Sequence, residues 1–501
     1  MARVAVGGTG ACALQQEVSM VEVTQQRAGA LVPEQPIAVH HRVPTTRLSE
    51  AVEAFLVRHR DRFVWVHVAM MALFVAVIVV PVFLPDPPET ATPWTHFTVL
   101  ANVLLWGVWF PLVFLSTVLT GRTWCGVLCP MGAATEWTNK VGLGWPIPRW
   151  MRWEGTPAVS FIVVTVWGQT LSVRDFADSA AILFGATMAA ALVVGFLWGR
   201  KKRAWCRHLC PIGRVLGLYA RLGPVDIVPQ TRVPGRDIYS LKGACPTMIY
   251  LPQKAETRHC IQCMRCVNPG AKGSLRLVFR RFGQEIERIR EHRANFAEGW
   301  MLFLDTGVAL GGFLWLISPV YQRMRQAVAE WALAHDWAWW FESGPRWLMS
   351  VHPEQAEVFW WLDFFMVVGF MLGWMLLVAA ALGSLTALAA WLSGRLGGDG
   401  GMRQRFTELS YQYAPVAMGS LIIGLGSALF EPIRLTPLGS AGVHGAKALL
   451  FLCCIAWSVH LGERLLARQG VPAGKRWLAL LPGMAGSALV GAAWWPAILS
   501  G

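Results

Sequence analysis

Eight of the eleven cysteines in this chain fall into two patterns that suit metal or redox chemistry. The first is Cys260-x-x-Cys263-x-x-Cys266, the spacing with which a short loop wraps three thiolates around one face of a cubane iron–sulfur cluster. In bacterial ferredoxins such a run continues to a fourth cysteine followed by proline, and here Gly270 stands in that place. A Cys-Pro pair lies upstream instead, at Cys245-Pro246. The economical ligand set for one [4Fe–4S] cluster is therefore Cys245, Cys260, Cys263 and Cys266. Four thiolates also suit tetrahedral zinc. Zinc ribbons, however, favour two separated C-x-x-C knuckles, so the spacing favours iron–sulfur.

The second pattern is a repeat. Thr123–Gly132 reads TWCGVLCPMG and Ala204–Gly213 reads AWCRHLCPIG, with a period of 81 residues from Cys125 to Cys206. Proline suits the first position of a helix, where its missing N–H costs nothing. Cys129 and Cys210 then become N-cap residues at a positive helix end, which favours the thiolate. If these stretches are near-helical, the cysteines of each pair share a face, about 5–6 Å apart at Cβ. Two facing pairs, Cys125 with Cys129 and Cys206 with Cys210, supply four sulfurs, enough for a second cluster or another metal. The plainer alternatives are two independent dithiols, or residues that merely pack at a membrane interface.

The elements that must position these thiols are membrane helices. The chain has 501 residues, 54% of them hydrophobic and 15% charged, with 27 tryptophans. So many long uncharged runs indicate an all-α polytopic membrane protein. The formal net charge is +14. Residues 200–297 hold 20 Lys/Arg against 6 Asp/Glu, which accounts for the whole excess. A basic block flanked by spans follows the positive-inside rule and argues for a cytoplasmic location, not for nucleic-acid binding.

Four blocks follow along the chain. Residues 1–62 read as a polar cytoplasmic tail and an amphipathic lead-in. Residues 63–213 hold four spans and both Cys-Pro repeats, residues 214–297 a small ferredoxin-like iron–sulfur segment, and residues 298–501 about five further spans. The spans fall near 63–84, 94–121, 157–173, 179–199, 300–320, 358–392, 414–430, 446–466 and 477–498. Nine spans place the N-terminus inside and the C-terminus outside. The apolar run 358–392 exceeds the ~20 residues a crossing needs, so it is tilted, projects from the bilayer or holds a break at Gly383-Ser384. Between Tyr321 and Glu357, five tryptophans suggest a helix lying in the membrane interface.

Two Trp-Cys-x-x-Leu-Cys-Pro motifs beneath paired spans, followed by a cysteine-rich loop, resemble the polyferredoxin-like membrane proteins of the NapH/NosR/CcoG type. The resemblance covers about residues 63–296. It implies a bacterial inner-membrane protein that moves electrons between a cytoplasmic donor and a membrane or periplasmic redox partner. By it, Cys125, Cys129, Cys206 and Cys210 match the family's two C-x-x-x-C-P motifs, and Cys260, Cys263 and Cys266 match the start of its ferredoxin motif. The chain departs from these relatives in having one loop motif where they often have two, with its fourth cysteine displaced upstream. A similar layout occurs in the polyferredoxin component of bacterial ferrous-iron uptake systems, whose partners are an iron-binding protein, a cupredoxin and a permease.

Other candidates are weaker. His67, Asp305, Asp363 and His460 fall inside spans, where ionisable groups attract functional interest, but no paired-histidine spacing marks a haem, and packing is the simpler reading. His208 is either a tuning residue within the second motif or a solvated side chain. Cys453 and Cys454 read as small apolar fillers. Cys12, His40 and His41 carry no pattern. Three functions remain: an electron carrier, a redox or metal sensor or assembly factor whose cysteines switch state, and a transporter subunit with a regulatory cluster. The basic block and the doubled thiol motif favour the first.

Overall fold

The computed structural model describes residues 45–229, 245–267 and 275–499, so Cys12, His40 and His41 lie outside the described residues. Among the described residues, eight helices are long and apolar enough to cross a membrane. The first, α1, runs Arg47–Phe83, and α2 runs Phe97–Thr120. Two short helices, α3 (Pro130–Thr138) and α6 (Pro211–Tyr219), each follow a Cys-Pro motif. Between them lie α4 (Thr156–Thr170) and α5 (Ala177–Trp198). The C-terminal half comprises α7 (Phe296–Ile317), α8 (Pro319–Ala334), α9 (Trp361–Arg395), α10 (Met402–Leu435), α11 (Gly439–Arg468) and α12 (Arg476–Leu499).

The ninth expected span is α4. Its 15 residues rise only about 22 Å, short of a hydrocarbon core of about 30 Å. It packs against α6 and α7 all the same, so it works as a strut between the two halves. The long run near 358–392 is a single helix of 35 residues with no break at Gly383-Ser384. Its length of about 52 Å exceeds the bilayer core and carries it beyond one face. The tryptophan-rich segment forms α8 and a short turn whose indoles pack edge-on, Trp331 against Trp337 and Trp337 against Trp340.

The α7–α9 crossing is close because α7 presents glycines there. A Cβ on Gly307 would sit 2.7 Å from the Met375 Cα, and one on Gly311 would sit 2.9 Å from the Met371 Cα. Small residues four apart let helix backbones approach where lipid supplies no hydrophobic drive.

The cysteine loop is pinned at its base by a two-stranded antiparallel sheet, β1 (Val225–Pro229) and β2 (Leu275–Phe279), with Val225 opposite Phe279. The start of α1 braces this sheet. The Leu277 N–H donates to Glu53 Oε2 at 2.7 Å, and the Arg60 guanidinium donates to the Val267 carbonyl at 3.0 Å. The sequence reading of residues 1–62 as tail and lead-in misses this role, since Glu53 is buried beneath the iron–sulfur segment.

Candidate iron–sulfur centres

The two Cys-Pro repeats fold alike. Trp124–Leu128 and Trp205–Leu209 each form one wide π-helical turn. The turn closes through the second cysteine, with Cys129 N–H donating to Trp124 O and Cys210 N–H to Trp205 O, both at 2.8 Å. Proline forces this, because the residue before it is driven out of the α region. Cys129 accordingly has φ −70° and ψ 117°. Both second cysteines are N-caps with proline at the first helical position. The wide turn replaces the near-α spacing expected from the sequence.

These turns bring Cys125, Cys129, Cys206 and Cys210 to the wall of one cavity of about 180 Å³. The same cavity runs past Trp109, Trp106 and Phe184 to Arg174 at the far end of the helices. A contact also crosses the repeat, with Thr135 of α3 lying 4.0 Å from Cys206 Sγ. Gly132 N–H donates to Cys129 Sγ at 3.4 Å. The helix end does not make Cys129 acidic. Burial pushes its thiol up to about 12, with Cys125 and Cys206 adding to the rise. Burial likewise raises Cys206 and Cys210. Desolvation of a thiolate outweighs a half-charge at a helix terminus.

Cys245, Cys260, Cys263 and Cys266 line a second cavity with Thr247, Lys254 and Ile261. Gln262 and Met264, the residues beside Cys263, hold left-handed backbone at φ 52° and 58°. Such conformations are costly for side chains other than glycine, and here they turn successive cysteines toward one centre. Burial raises Cys263 to about 11 and Cys266 well above the ordinary thiol range. Lys254 is buried and donates to Asp226 at 2.6 Å, and its charge opposes the rise at Cys260.

Each group offers four sulfurs around a cavity. Among the described residues no set of three or more His, Cys, Asp or Glu side chains is arranged to grip a single metal ion. Zinc draws its four thiolates to about 2.3 Å from one centre, whereas a cubane binds each thiolate at a different iron and holds the sulfurs farther apart. Four cysteines lining each cavity supply the donor set that a [4Fe–4S] cluster takes, and a buried thiol with a raised pKa ionises once iron binds it. None of the described cysteines forms a disulfide.

The two groups abut. A Cβ on Gly126 would lie 2.0 Å from the Ile261 carbonyl oxygen and 3.2 Å from the Cys263 nitrogen, so the backbone between the paired-motif cysteines rests on the backbone between the loop cysteines. At the matching position of the second repeat, Arg207 donates to the Thr247 carbonyl at 2.9 Å. The loop thus seats on both repeats at once.

Sequence reasoning missed two buried arginines. Arg122 is 2% exposed, and its Nη2 donates to Cys125 Sγ at 3.7 Å. Arg203 is 1% exposed, and its Nη1 donates to the Cys125 carbonyl at 2.9 Å. Both were within reach, because the repeat extends two residues upstream to Arg-x-Trp-Cys in each copy. Of the weaker candidates, His67 is buried with its ring 3.2 Å from the Gly126 carbonyl. Asp363 accepts from Arg325 at 2.5 Å, His460 is half exposed, and Asp305 is buried with one oxygen unpartnered. His208 is pushed down to about 4 by burial and by Arg207, so it is a neutral neighbour of the site.

Comparison with known proteins places a 4Fe-4S binding domain on residues 102–148 and 180–227. That match falls on Cys125, Cys129, Cys206 and Cys210, the group for which the sequence left the metal open, and ends before the loop cysteines. The chain is similar to the regulatory protein NosR of Pseudomonas aeruginosa, 28% identical over 189 residues, which span 33% of this chain and 26% of NosR. It is similar to the ferredoxin-type protein NapH of Escherichia coli, 23% identical over 214 residues, 37% of this chain and 71% of NapH. It is also similar to the putative electron transport protein YccM of Escherichia coli, 24% identical over 247 residues, 42% of this chain and 66% of YccM. No solved structure matches. The chain is a multi-pass membrane protein with a 4Fe–4S cofactor, similar to NapH and NosR over part of its N-terminal half.

Proposed function

We propose that this protein is a membrane electron carrier with two [4Fe–4S] clusters in contact, one held by Cys125, Cys129, Cys206 and Cys210 and the other by Cys245, Cys260, Cys263 and Cys266. When bound, such a cluster supplies one-electron redox chemistry at a potential that its surroundings set. The observation that carries the reading is the seating of one four-thiol group on the other through Gly126 and Ile261. Two donor sets packed backbone to backbone suit electron passage between them. A thiol switch, by contrast, needs exposed thiols that react on their own, and all eight of these are buried or half-buried.

The protein's own residues hold and shield these centres. Arg122, Arg203 and Lys254 offset the negative charge of the thiolates, while Trp124, Trp205 and Phe161 keep water from the paired-motif cavity. The names of NapH and YccM, a ferredoxin-type and a putative electron transport protein, support the same chemistry. The basic block supports a cytoplasmic location for both centres, with the N-terminus inside. Electrons then come from a cytoplasmic donor and leave to a membrane or periplasmic partner, of which a cupredoxin, an iron-binding protein and a permease are the expected kinds. Anaerobic purification with iron, acid-labile sulfide and EPR measurement tests the proposal. Cys125→Ser and Cys206→Ser should abolish the same signal, and Cys263→Ser the other. Stoichiometric zinc without labile sulfide would overturn it.

A further inference from the structure

Resting on that two-cluster reading, we infer that Arg203 is a shared electrostatic hinge between the centres, a positioning residue that sets both reduction potentials together. Its place in the fold is unusual for a basic residue at the end of an apolar span. The backbone N–H of Arg203 donates to the Pro246 carbonyl at 2.7 Å, next to the loop ligand Cys245. Its Nη1 donates to the carbonyl of Cys125 at 2.9 Å, and Cys206 follows three residues later in the chain. One buried residue thus adjoins ligand segments from both repeats and from the loop, through its guanidinium at Cys125 and its backbone at Pro246.

Its charge lies between the two groups, on the Cys125 carbonyl of one and beside a carboxylate that also takes Arg265 of the other. The counter-charge is shared as well. Glu136 of α3 accepts from Arg203 Nε at 2.9 Å and also pairs with Arg265, which lies between Cys263 and Cys266. One carboxylate for two guanidinium groups leaves net positive charge at the junction. Each one-electron reduction adds a negative charge to a cluster, and a buried cation nearby favours it. Arg122 contacts Cys125 in the paired-motif group and donates to the Arg258 carbonyl at 2.6 Å, without bridging to the Cys245 segment in this way.

The test is a potentiometric EPR titration of Arg203→Gln and Glu136→Gln, with iron and sulfide measured on the same samples. Arg203→Gln should move both midpoint potentials to more negative values at unchanged iron content. Glu136→Gln, which leaves the two arginines uncompensated, should move both to more positive values. Shifts of opposite sign on both clusters are what a structural disturbance would not produce. In protein with two cluster signals, a shift of one potential alone, or of neither, overturns the hinge and leaves the two-cluster reading standing. A single cluster in the wild-type protein overturns that reading and the hinge with it. If Arg203→Gln does not assemble, Glu136→Gln decides, and the absence of a positive shift in both potentials overturns the inference.

Discussion

A glycine decides how near the two thiol groups come. Gly126 follows Cys125 directly, and no side chain fits between it and the Ile261 carbonyl. Gly126→Ala forces a methyl against backbone, which cannot swing aside as a side-chain tip can, at a cost of about 1–3 kcal/mol. We expect that variant to insert in the membrane and keep the paired-motif EPR signal while the loop signal weakens and labile sulfide falls. Full sulfide content with both signals intact would show that the seating tolerates a methyl. At this scale the eight cysteines are legible in sequence, because ligand spacing is itself the chemistry. Arg122 and Arg203 are harder to read as site residues, since basic side chains at the end of an apolar run already satisfy the positive-inside pattern. The thiol pKa values are not legible at all. The N-cap position of Cys129 points toward acidity, and only burial, which needs the fold, reverses the sign.

At the level of elements, hydrophobic run length places most spans within a few residues, while local backbone geometry escapes it. The π-helical turns depend on how far proline pushes the preceding cysteine, and four-residue spacing alone does not distinguish them from an α-turn. Helix α4 is shorter than the other apolar helices, yet it joins two faces: Glu154 before it pairs with Arg214, while Trp167 and Thr170 at its end donate to the Trp347 and Leu348 carbonyls. The unbroken course of α9 past Gly383 has a packing reason, since the Trp300 ring occupies the space beside it, 3.3 Å from where a Cβ would lie. The α7–α9 crossing yields its own prediction. Gly307→Leu places a branched side chain where the Met375 Cα stands 2.7 Å from the Cβ, so the helices must part. Overpacking of this kind costs about 1–3 kcal/mol. Thermal unfolding followed by size-exclusion in detergent should show a lower midpoint, and a midpoint equal to wild type would mean that the crossing is not close.

The whole molecule is held together where the loop segment meets the C-terminal helices, through buried charges that composition conceals inside a net excess of +14. Thiol accessibility tests the sidedness at an exposed position: a cysteine introduced by Lys201→Cys should resist a membrane-impermeant thiol reagent in intact cells and react after lysis, and modification before lysis would reverse the proposed topology. The charges themselves centre on Arg221, which is fully buried and pairs at 3.2 Å with Glu256, with Glu285 and with Glu298 at the start of α7. Glu285 also pairs with Arg280 at 2.6 Å. Burial alone would raise the Glu285 pKa, but Arg280 and Arg221 outweigh it and hold the carboxyl below its ordinary 4.5. A carboxyl whose folded pKa is depressed stabilises the fold above its unfolded pKa, and that stability is lost as pH falls from about 4.5 toward the folded value. Glu285→Gln removes the charge that both arginines face and should cost about 3–5 kcal/mol at neutral pH, the scale for breaking one side of a buried ion pair. The sign of the pH effect follows: the gap between variant and wild type should narrow below pH 4.5, because the carboxyl of the unfolded wild-type chain then takes up a proton that the folded carboxyl resists. Unfolding temperatures of both proteins in detergent from pH 7 to pH 3 check this, and a gap that stays constant or widens on acidification would assign the acid sensitivity to other groups.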